Sequence, residues 1–268
     1  MFSFCKMQGT GNDFVLIDCE QNEFSYSLPV LAEYLCNRHY GVGADGIILM
    51  DKSDVADFKM RIFNQDGTEA QMCGNGIRCF AKYAFEKKKT EKEEFTVETL
   101  AGVKQVKLEL ENQKVVAVKV NMGSPVLDFL QYIIEIEQKQ YQIYPISMGN
   151  PHAVCFVKDV DKIEIEKIGP ILENYKYFPE KTNVEFVEIQ DKSHMKVRVW
   201  ERGVGQTNSC GTGACASAMI AIHEKFTQKD VMISLKGGKL EVEYDPKTNE
   251  IFLKGPAEMV FEGKIEMM

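Results

Sequence analysis

Apolar and polar residues alternate along much of this chain, and such alternation is the pattern of half-buried β-strands. It is clearest between Val103 and Val120, where the apolar positions are Val106, Leu108, Leu110, Val115, Val116, Val118 and Val120. Asn112 and Gln113 supply a turn in the middle of this stretch. Because segments of this kind outnumber helical ones, the sequence predicts a mixed chain dominated by short strands.

Two segments depart from the alternation and carry small or apolar residues on nearly every face. One runs from Ile77 to Phe85 and the other from Gly213 to Phe226. A helix that is apolar all round is buried, so each should lie inside a sheet that wraps around it. Each is followed by a strand, a turn and a second strand, the turns lying at Ala101-Gly102 and Gly237-Gly238.

The two helices belong to an internal repeat with an offset of 137 to 139 positions. The segment 61–64, Arg-Ile-Phe-Asn, corresponds to 198–201, Arg-Val-Trp-Glu, and Asn12 corresponds to Asn150. Repeat units of this length are domain-sized, and 268 residues suit two ordinary domains. The sequence thus predicts an α+β fold of two similar domains with a cleft between them.

Composition narrows the classes of function. With 44% hydrophobic and 27% charged residues, each half can bury a core. A net charge of -8 argues against general nucleic-acid binding. The chain shows no apolar run long enough to span a bilayer and no ordered signal peptide at its start, so we expect a cytoplasmic protein without membrane partners.

Cys73 and Cys210 open the two glycine-rich turns at matching positions of the repeat. The flanking glycines let the backbone turn sharply and approach a ligand closely. At the start of a helix the backbone N-H groups bind carboxylates, and the same field lowers the pKa of a cysteine thiol. Each turn is therefore predicted to hold a carboxylate beside an activated thiol.

A zinc site and an organic cofactor are the main alternatives for these cysteines. Structural zinc sites favour ligands two to four residues apart, whereas Cys73 and Cys79, or Cys210 and Cys215, are spaced more widely. The chain has no dinucleotide-binding glycine motif, no P-loop and no lysine in a Schiff-base context. We expect neither a metal nor a cofactor.

Two opposed thiols and a carboxylate cradle suit inversion at the α-carbon of an amino acid. One thiolate removes the α-proton from one face while the other thiol donates a proton to the opposite face. Helix dipoles, hydrogen bonds and exclusion of water would have to stabilise the poor carbon acid. Closure of the two domains is the expected means.

The chain resembles the diaminopimelate epimerase family in motifs that are ordered along almost its whole length. They are Met7-Gln8-Gly9-Thr10-Gly11-Asn12-Asp13-Phe14, Gly43-Ala44-Asp45-Gly46, the run from Asn64 to Cys79, Gly149-Asn150-Pro151-His152-Ala153, Thr182-Asn183-Val184, Glu201-Arg202-Gly203, Cys210-Gly211-Thr212-Gly213 and Gly255-Pro256-Ala257. The resemblance implies a cofactor-independent enzyme that interconverts LL- and meso-2,6-diaminopimelate, on the pathway to lysine and peptidoglycan.

It also implies an architecture and an assembly. Each of two pseudo-symmetric domains would be a curved, mostly antiparallel sheet around a central buried helix, and the active site would lie in the cleft between them. The first domain would comprise residues 1–119 with the return of 257–268, and the second residues 120–256. A homodimer is the expected assembly.

By position, the resemblance makes Cys73 and Cys210 the two acid/base residues and places His152 and Glu201 close to the reacting centre. The other implied substrate-binding residues are Asn12, Asn64, Gly74, Asn75, Asn150, Asn183, Arg202, Gly211 and Thr212. Glu201 and Arg202 would bear on the distal ammonium and carboxylate groups. Taken alone, any of these asparagines is more often a turn or capping residue, and the Glu-Arg pair could be a surface ion pair.

Two other functions stay open at this stage. Gln8, Gln206 and Ser209 depart from residues expected in the family, which leaves room for a related racemase of another amino acid. In a second class of function, Cys73 and Cys210 would form a reversible disulfide in a redox protein. Activity with and without reductant distinguishes the enzyme from the redox protein.

Overall fold

The two predicted central helices form, and each begins at the residue after a cysteine. The computed structural model describes residues 2–22, 24, 26–127 and 130–266. The α-helices of these residues are α1 (Leu28–Cys36), α2 (Gly74–Glu86), α3 (Ile165–Glu173) and α4 (Gly211–His223), with short 3-10 turns at Cys19–Gln21 and Val160–Lys162. Met1, Met267 and Met268, which fall in the predicted first domain, lie outside the described residues.

The chain divides into two compact units. The first comprises Met1–Val120 with Gly255–Met268, and the second comprises Asn121–Lys254. Both are sheet-rich and contain two of the four α-helices, which confirms the predicted α+β class. In both units one helix is central and the other lies on the outside of the sheet.

The strands that build the first unit are β1 (Phe2–Gly9), β2 (Asn12–Asp18), β3 (Gly46–Asp51), β4 (Phe58–Asn64), β5 (Glu69–Ala70), β6 (Glu94–Thr99), β7 (Gly102–Glu111), β8 (Lys114–Gly123) and β19 (Glu258–Ile265). The pairs β2–β3 and β4–β6 are parallel, and the other described pairings within the unit are antiparallel. Helix α2 packs against β1, β2, β3, β4, β7 and β19, and is buried from Gly74 to Ala84.

The second unit repeats this arrangement with β9 (Val126–Leu127), β10 (Tyr132–Ile136), β11 (Lys139–Ser147), β12 (Pro151–Phe156), β13 (Asn183–Ile189), β14 (His194–Glu201), β15 (Gly205–Thr207), β16 (Asp230–Leu235), β17 (Gly238–Asp245) and β18 (Glu250–Gly255). Its parallel pairs are β12–β13 and β14–β16. Helix α4 packs against β11, β12, β13, β14 and β17. A mostly antiparallel sheet around a buried helix is thus confirmed in both units.

The turn predicted at Asn112-Gln113 joins β7 to β8. Both residues have positive φ, 51° and 62°. A two-residue hairpin of this type needs left-handed backbone at both central positions, and asparagine tolerates it well. The predicted pair of strands is confirmed.

Alternation along the strands decides which side chains face each helix. On β13, Val184 and Phe186 are fully buried in the apolar core beneath α3. Their neighbours Asn183 and Glu185 point to the opposite face, because successive side chains of a strand alternate. That face is covered by α4, so the strand delivers polar groups to the start of the central helix.

Candidate functional site

Cys73 caps the first turn of α2 in the first unit. Its backbone is extended, with φ -137° and ψ 120°, and its Sγ accepts the N-H of Gly76 at 3.4 Å. The first N-H groups of a helix have no carbonyl partner within the helix, and the thiol sulfur serves as the acceptor for one of them. Gly74 and Asn75 form the buried first turn beside the thiol.

An amide network fixes the surroundings of the Cys73 thiol. Cys73 Sγ lies 3.6 Å from Asn12 Oδ1, and Asn75 Nδ2 donates to the same oxygen at 3.3 Å. Asn12 Nδ2 donates to Asp45 Oδ2 at 2.7 Å. Because the carboxylate only accepts, it sets the orientation of the Asn12 amide and turns its oxygen toward the thiol.

A fully buried arginine, Arg78, links the residues around Cys73 to one another. We call these residues the first half-site and the corresponding residues around Cys210 the second. Its guanidinium donates to the carbonyl of Gly74 at 3.0 Å, to the hydroxyl of Thr10 at 3.1 Å and to the carbonyl of Pro256 at 3.2 Å. The planar fork thereby links the helix start, the β1–β2 turn and the segment before β19. Arg78 lies in the motif from Asn64 to Cys79, but no role was predicted for it.

Asn64 is the one candidate of the first unit whose described contacts are local. Its side chain donates to the Thr68 hydroxyl at 3.0 Å, and its carbonyl accepts the N-H of Gly67 at 3.0 Å. It is exposed at the end of β4. In this structure Asn64 therefore acts as a turn residue, outside the network around Cys73.

Cys210 caps α4 in the same way in the second unit. Its Sγ accepts the N-H of Gly213, again at 3.4 Å, and lies 3.5 Å from the Thr212 hydroxyl. Gly211 begins the helix. The two cysteines of the repeat therefore share one local geometry, although Cys210 is buried and Cys73 is only partly so.

A buried dyad behind Cys210 joins His152, which was predicted to lie at the site, to Glu185, which was not. His152 Nδ1 is 2.7 Å from Glu185 Oε1, and both side chains are fully buried. His152 Nε2 is 3.1 Å from Asn150 Oδ1, and Asn150 Nδ2 donates to the Thr212 hydroxyl at 3.4 Å. A chain of contacts thus runs from the carboxylate to the residue that touches the thiol.

Glu201 completes the set of carboxylates near this thiol. It accepts a hydrogen bond from the Thr207 hydroxyl, and burial raises the pKa of its carboxyl. Burial also raises the pKa of Cys210 well above its ordinary value, and the charges of Glu201 and Glu185 raise it further. The prediction that the helix start lowers the pKa of both thiols is therefore wrong for Cys210, because burial and two carboxylates outweigh the helix field.

Asn183 and Arg202 form a separate contact at the start of β13. Asn183 Nδ2 donates to the carbonyl of Pro151 at 2.9 Å, and its Oδ1 accepts the backbone N-H of Arg202 at 3.0 Å. The Arg202 guanidinium is exposed and donates to the carbonyl of Glu180 at 3.0 Å. Since Glu201 is held by Thr207 and Arg202 by Glu180, the two have different partners and are not tied up as a surface ion pair.

The structure thus gathers most of the predicted residues into two local sets, one in each unit. The first contains Cys73, Asn12, Gly74 and Asn75, and the second is built around Cys210 with Gly211, Thr212, Asn150, His152 and Glu201. Glu185 was missed, although one signal was present: an acidic residue stands in the apolar run Val184-Glu185-Phe186-Val187. A charge at an inward strand position is rare unless it is paired.

Within the described ranges, no cluster of three or more His, Cys, Asp or Glu side chains could hold a metal ion. The described part of the chain also has no helix that is both long and apolar enough to cross a membrane.

Comparison with solved structures shows that other proteins share this fold. A phenazine biosynthesis protein of the PhzF family from Bacillus anthracis superposes with a TM-score of 0.71 at 19% identity, covering 99% of both chains. A hydroxyproline epimerase from Agrobacterium vitis gives 0.74 at 13% identity, covering 97% of this chain and 91% of its own. At these identities the likeness concerns the fold.

Sequence comparison is more specific. The sequence model of diaminopimelate epimerase matches residues 4–127 and 144–260. Diaminopimelate epimerase from Agathobacter rectalis is 45% identical over 99% of both chains. The enzyme of that name from Methanococcus maripaludis is 44% identical over 98% of this chain and 99% of its own. With both half-sites in place on this fold, the chain belongs to the diaminopimelate epimerase family.

Proposed function

We propose that this protein interconverts LL- and meso-2,6-diaminopimelate without a cofactor, using Cys73 and Cys210 as its two acid/base residues. The observation that carries the proposal is the repeated capping geometry. In both units a cysteine sulfur accepts the N-H of the third residue of a central helix at 3.4 Å. Membership of the diaminopimelate epimerase family favours this reaction over the two alternatives, a racemase of another amino acid and a redox dithiol protein.

Each helix start supplies what a reacting amino acid needs. The N-H groups at Gly74 and Asn75, and at Gly211 and Thr212, lie at the positive ends of two helices of 13 residues. We assign the reacting carboxylate of the substrate to these groups. As the α-proton leaves, negative charge spreads into this carboxylate, and the helix fields stabilise it more strongly than they stabilise the substrate.

The thiols exchange roles with the direction of reaction. In one direction a Cys73 thiolate removes the α-proton while the Cys210 thiol donates to the opposite face, and in the other direction the assignments reverse. The raised pKa of Cys210 favours its thiol form before substrate arrives, so this residue is suited to be the first proton donor. His152 and Glu201 lie near the Cys210 thiol and influence its transfer of the proton.

The distal amino acid group of the substrate requires its own partners. The exposed guanidinium of Arg202 suits a bidentate contact with a carboxylate, and the Glu201 carboxylate suits an ammonium group. We assign both to the distal end, together with the amides of Asn12, Asn150 and Asn183. Asn64 belongs to this set only if substrate draws it away from Thr68.

Lysine and peptidoglycan precursor synthesis, a cytoplasmic location and a homodimer complete the proposal. These rest on the resemblance to the family. Light scattering of the purified protein at several concentrations tests the dimer, whose mass would be twice the 30.5 kDa of one chain.

Proton NMR of LL-diaminopimelate in D2O tests the reaction itself. Incubation with reduced protein should replace the α-proton by deuterium while the meso isomer forms. Cys73→Ser and Cys210→Ser should each abolish most turnover and leave the fold intact. Near-normal turnover in either variant would rule out the two-thiol mechanism.

The same assay separates the two alternatives. A folded, reduced protein that exchanges the α-proton of another amino acid but leaves diaminopimelate unchanged would be a racemase of different specificity. A redox protein would instead transfer electrons to a partner thiol. Oxidation should stop the proposed enzyme reversibly, with dithiothreitol restoring turnover.

A further inference from the structure

The two half-sites differ in the residues behind their thiols. In the parallel pairs β2–β3 and β12–β13, Phe14 lies opposite Gly46 and His152 lies opposite Asn183. Two residues further along the second strand of each pair stand Ile48 and Glu185. The dyad His152–Glu185 in the second unit therefore occupies the places of Phe14 and Ile48 in the first.

The glycines of the two caps confirm this correspondence. A Cβ added at Gly213 would lie 2.7 Å from Glu185 Oε1 and 3.3 Å from Cys210 Sγ. A Cβ added at Gly76 would lie 3.3 Å from Ile48 Cδ1 and 3.4 Å from Cys73 Cβ. Each glycine thus separates the thiol from the strand residue behind it, which is an acid in one unit and apolar in the other.

The acid is costly for the fold. Glu185 is fully buried, and its Oε2 has no hydrogen-bond partner among the described residues. A buried polar atom without a partner destabilises a protein. Since Ile48 fills the corresponding place without this cost, packing alone does not account for a carboxylate at position 185.

The described contacts of Glu185 relate it to Cys210. Oε1 holds His152, whose other ring nitrogen contacts Asn150, and Gly213 beside the carboxylate donates its N-H to Cys210 Sγ. The titratable groups around this thiol come from three strands: His152 from β12, Glu185 from β13 and Glu201 from β14. Arg198 on β14 turns away and donates to the carbonyls of Val160 and Ile163.

We propose that Glu185 is a positioning residue that makes the two thiols unequal: it fixes the His152 ring and places a negative charge behind Cys210, where the first unit places Ile48 behind Cys73. The inference rests on the proposed function, in which both thiols act as acid and base. It adds a role for a residue that touches neither substrate nor a reacting atom.

Thiol alkylation measures this inequality without substrate. The variant Glu185→Gln keeps the side-chain shape and an oxygen for His152 but removes the charge. Each protein is treated with iodoacetamide from pH 6 to pH 10, and mass spectrometry of the peptides follows Cys73 and Cys210 separately. At each pH the rate of each cysteine in the variant is divided by the rate of the same cysteine in wild type, which removes the intrinsic difference in access between the two cysteines.

The expected result is a selective change at Cys210. Loss of a neighbouring negative charge favours the thiolate, so Cys210 of the variant should be alkylated about threefold faster or more at pH values below its midpoint. Cys73 should keep the wild-type profile. Glu188→Gln, on the same strand but holding the Val160 N-H, is the matched control and should leave both profiles unchanged.

An unchanged Cys210 profile, or equal changes at both cysteines, would overturn the proposal. The outcome is separable from the proposed function, because wild-type protein that fails to epimerise diaminopimelate removes the function while the alkylation profiles remain measurable. If the function holds, Glu185→Gln should lower kcat and shift its pH profile with little change in KM. A purely structural role would instead lower stability and leave the pH profile in place.

A second variant keeps the test informative if Glu185→Gln folds poorly. The double variant His152→Phe/Glu185→Ile reproduces the pair found in the first unit. It should melt at or above the wild-type temperature, because the fold already accommodates this pair once and the unpartnered oxygen is gone. A melting temperature well below that of wild type would show that the dyad serves stability, which would contradict the argument.

Discussion

The steric relation between Gly213 and Glu185 gives the sharpest prediction. Both Gly213 and Gly76 lie in the first turn of a helix, in a conformation that alanine also adopts. A methyl group at Gly213 would meet Glu185 Oε1 at 2.7 Å. To regain an ordinary contact of 3.4 Å, the carboxylate would have to move by about 0.7 Å. It cannot do so freely, because it is buried and bonded to His152 at 2.7 Å.

The matched substitution in the first unit meets softer neighbours. A methyl group at Gly76 would lie 3.1 Å from Ile62 Cδ1 and 3.3 Å from Ile48 Cδ1, which are the ends of flexible side chains. We therefore expect Gly213→Ala to destabilise the protein by about 2 kcal/mol, or roughly 4–8 °C in melting temperature. Gly76→Ala should cost less than about 1 kcal/mol.

Differential scanning calorimetry and the epimerase assay together test this expectation. Gly213→Ala should also lose most of its turnover, because displacement of Glu185 releases the His152 ring. In a Glu185→Ala background the same glycine substitution should cost almost nothing, since the clashing oxygen is gone. Equal costs at Gly213 and Gly76, or a cost at Gly213 that persists without Glu185, would show that contact with the Glu185 carboxylate is not the cause.

Three further predictions concern the first unit. Arg78→Met should lower the free energy of unfolding by about 3 kcal/mol in urea titrations, because two buried acceptors, on Gly74 and Thr10, and the carbonyl of the exposed Pro256 lose their donor. Arg78→Lys should recover part of this loss. Asp45→Ala should lower kcat/KM about tenfold, because the Asn12 amide loses the group that orients it. The melting temperature should fall only slightly, because the lost ion pair with Arg38 is exposed and one hydrogen bond from the Asp13 N-H is lost with it. Burial alone would raise the pKa of Asp13, but hydrogen bonds from Arg38 and Lys6 outweigh this effect and hold that pKa at about 2. The stability that Asp13 contributes is thus present above the unfolded pKa of about 3.9 and is lost as the pH falls toward 2. Urea titrations should therefore show that the difference in free energy of unfolding between wild type and Asp13→Asn becomes smaller across that range of pH.

Local signals predicted the two central helices, which begin at the cysteine-glycine turns, but not their bounds to within a residue. Helix α2 begins at Gly74, three residues before the predicted apolar segment, and α4 ends at His223 and not at Phe226 as predicted. The reason is a left-handed residue, Lys225 with φ 60°, after which the N-H of Phe226 returns to the carbonyl of Ala221. Glycine usually takes this position, so a lysine there gives no sequence signal.

Helix α3 shows how tertiary packing overrides local preference. It contains Gly169 and Pro170, which in sequence predict the end of a helix. A Cβ at Gly169 would lie 2.6 Å from the Trp200 ring, so the glycine is needed for close packing against β14. The Trp200 indole N-H then donates to Glu173 at 2.7 Å. These contacts join residues about 30 positions apart, which periodicity along the chain does not reveal.

Contacts between residues far apart in the sequence also limited what could be predicted about the site. The cysteine caps could be predicted, because their residue types and spacing carry the chemistry, and the resemblance supplied most of the polar residues. The pairing of His152 with Glu185 could not, because it depends on the register of β12 against β13. Once that register is known, the position of Glu185 within an apolar strand is explained by its pairing with His152.

The pair behind the thiol is apolar in the first unit and ionisable in the second. This difference matters for any reaction that needs one cysteine as a thiolate and the other as a thiol. If both thiols had the same acidity, at most about one quarter of the molecules would hold one chosen cysteine ionised and the other protonated. A carboxylate behind only one of them separates the two titrations and raises that fraction toward one. Turnover then creates the opposite form, which the reverse reaction uses. A repeat that kept its cysteine caps but exchanged Phe14 and Ile48 for His152 and Glu185 therefore gains a defined starting state that two identical halves could not provide.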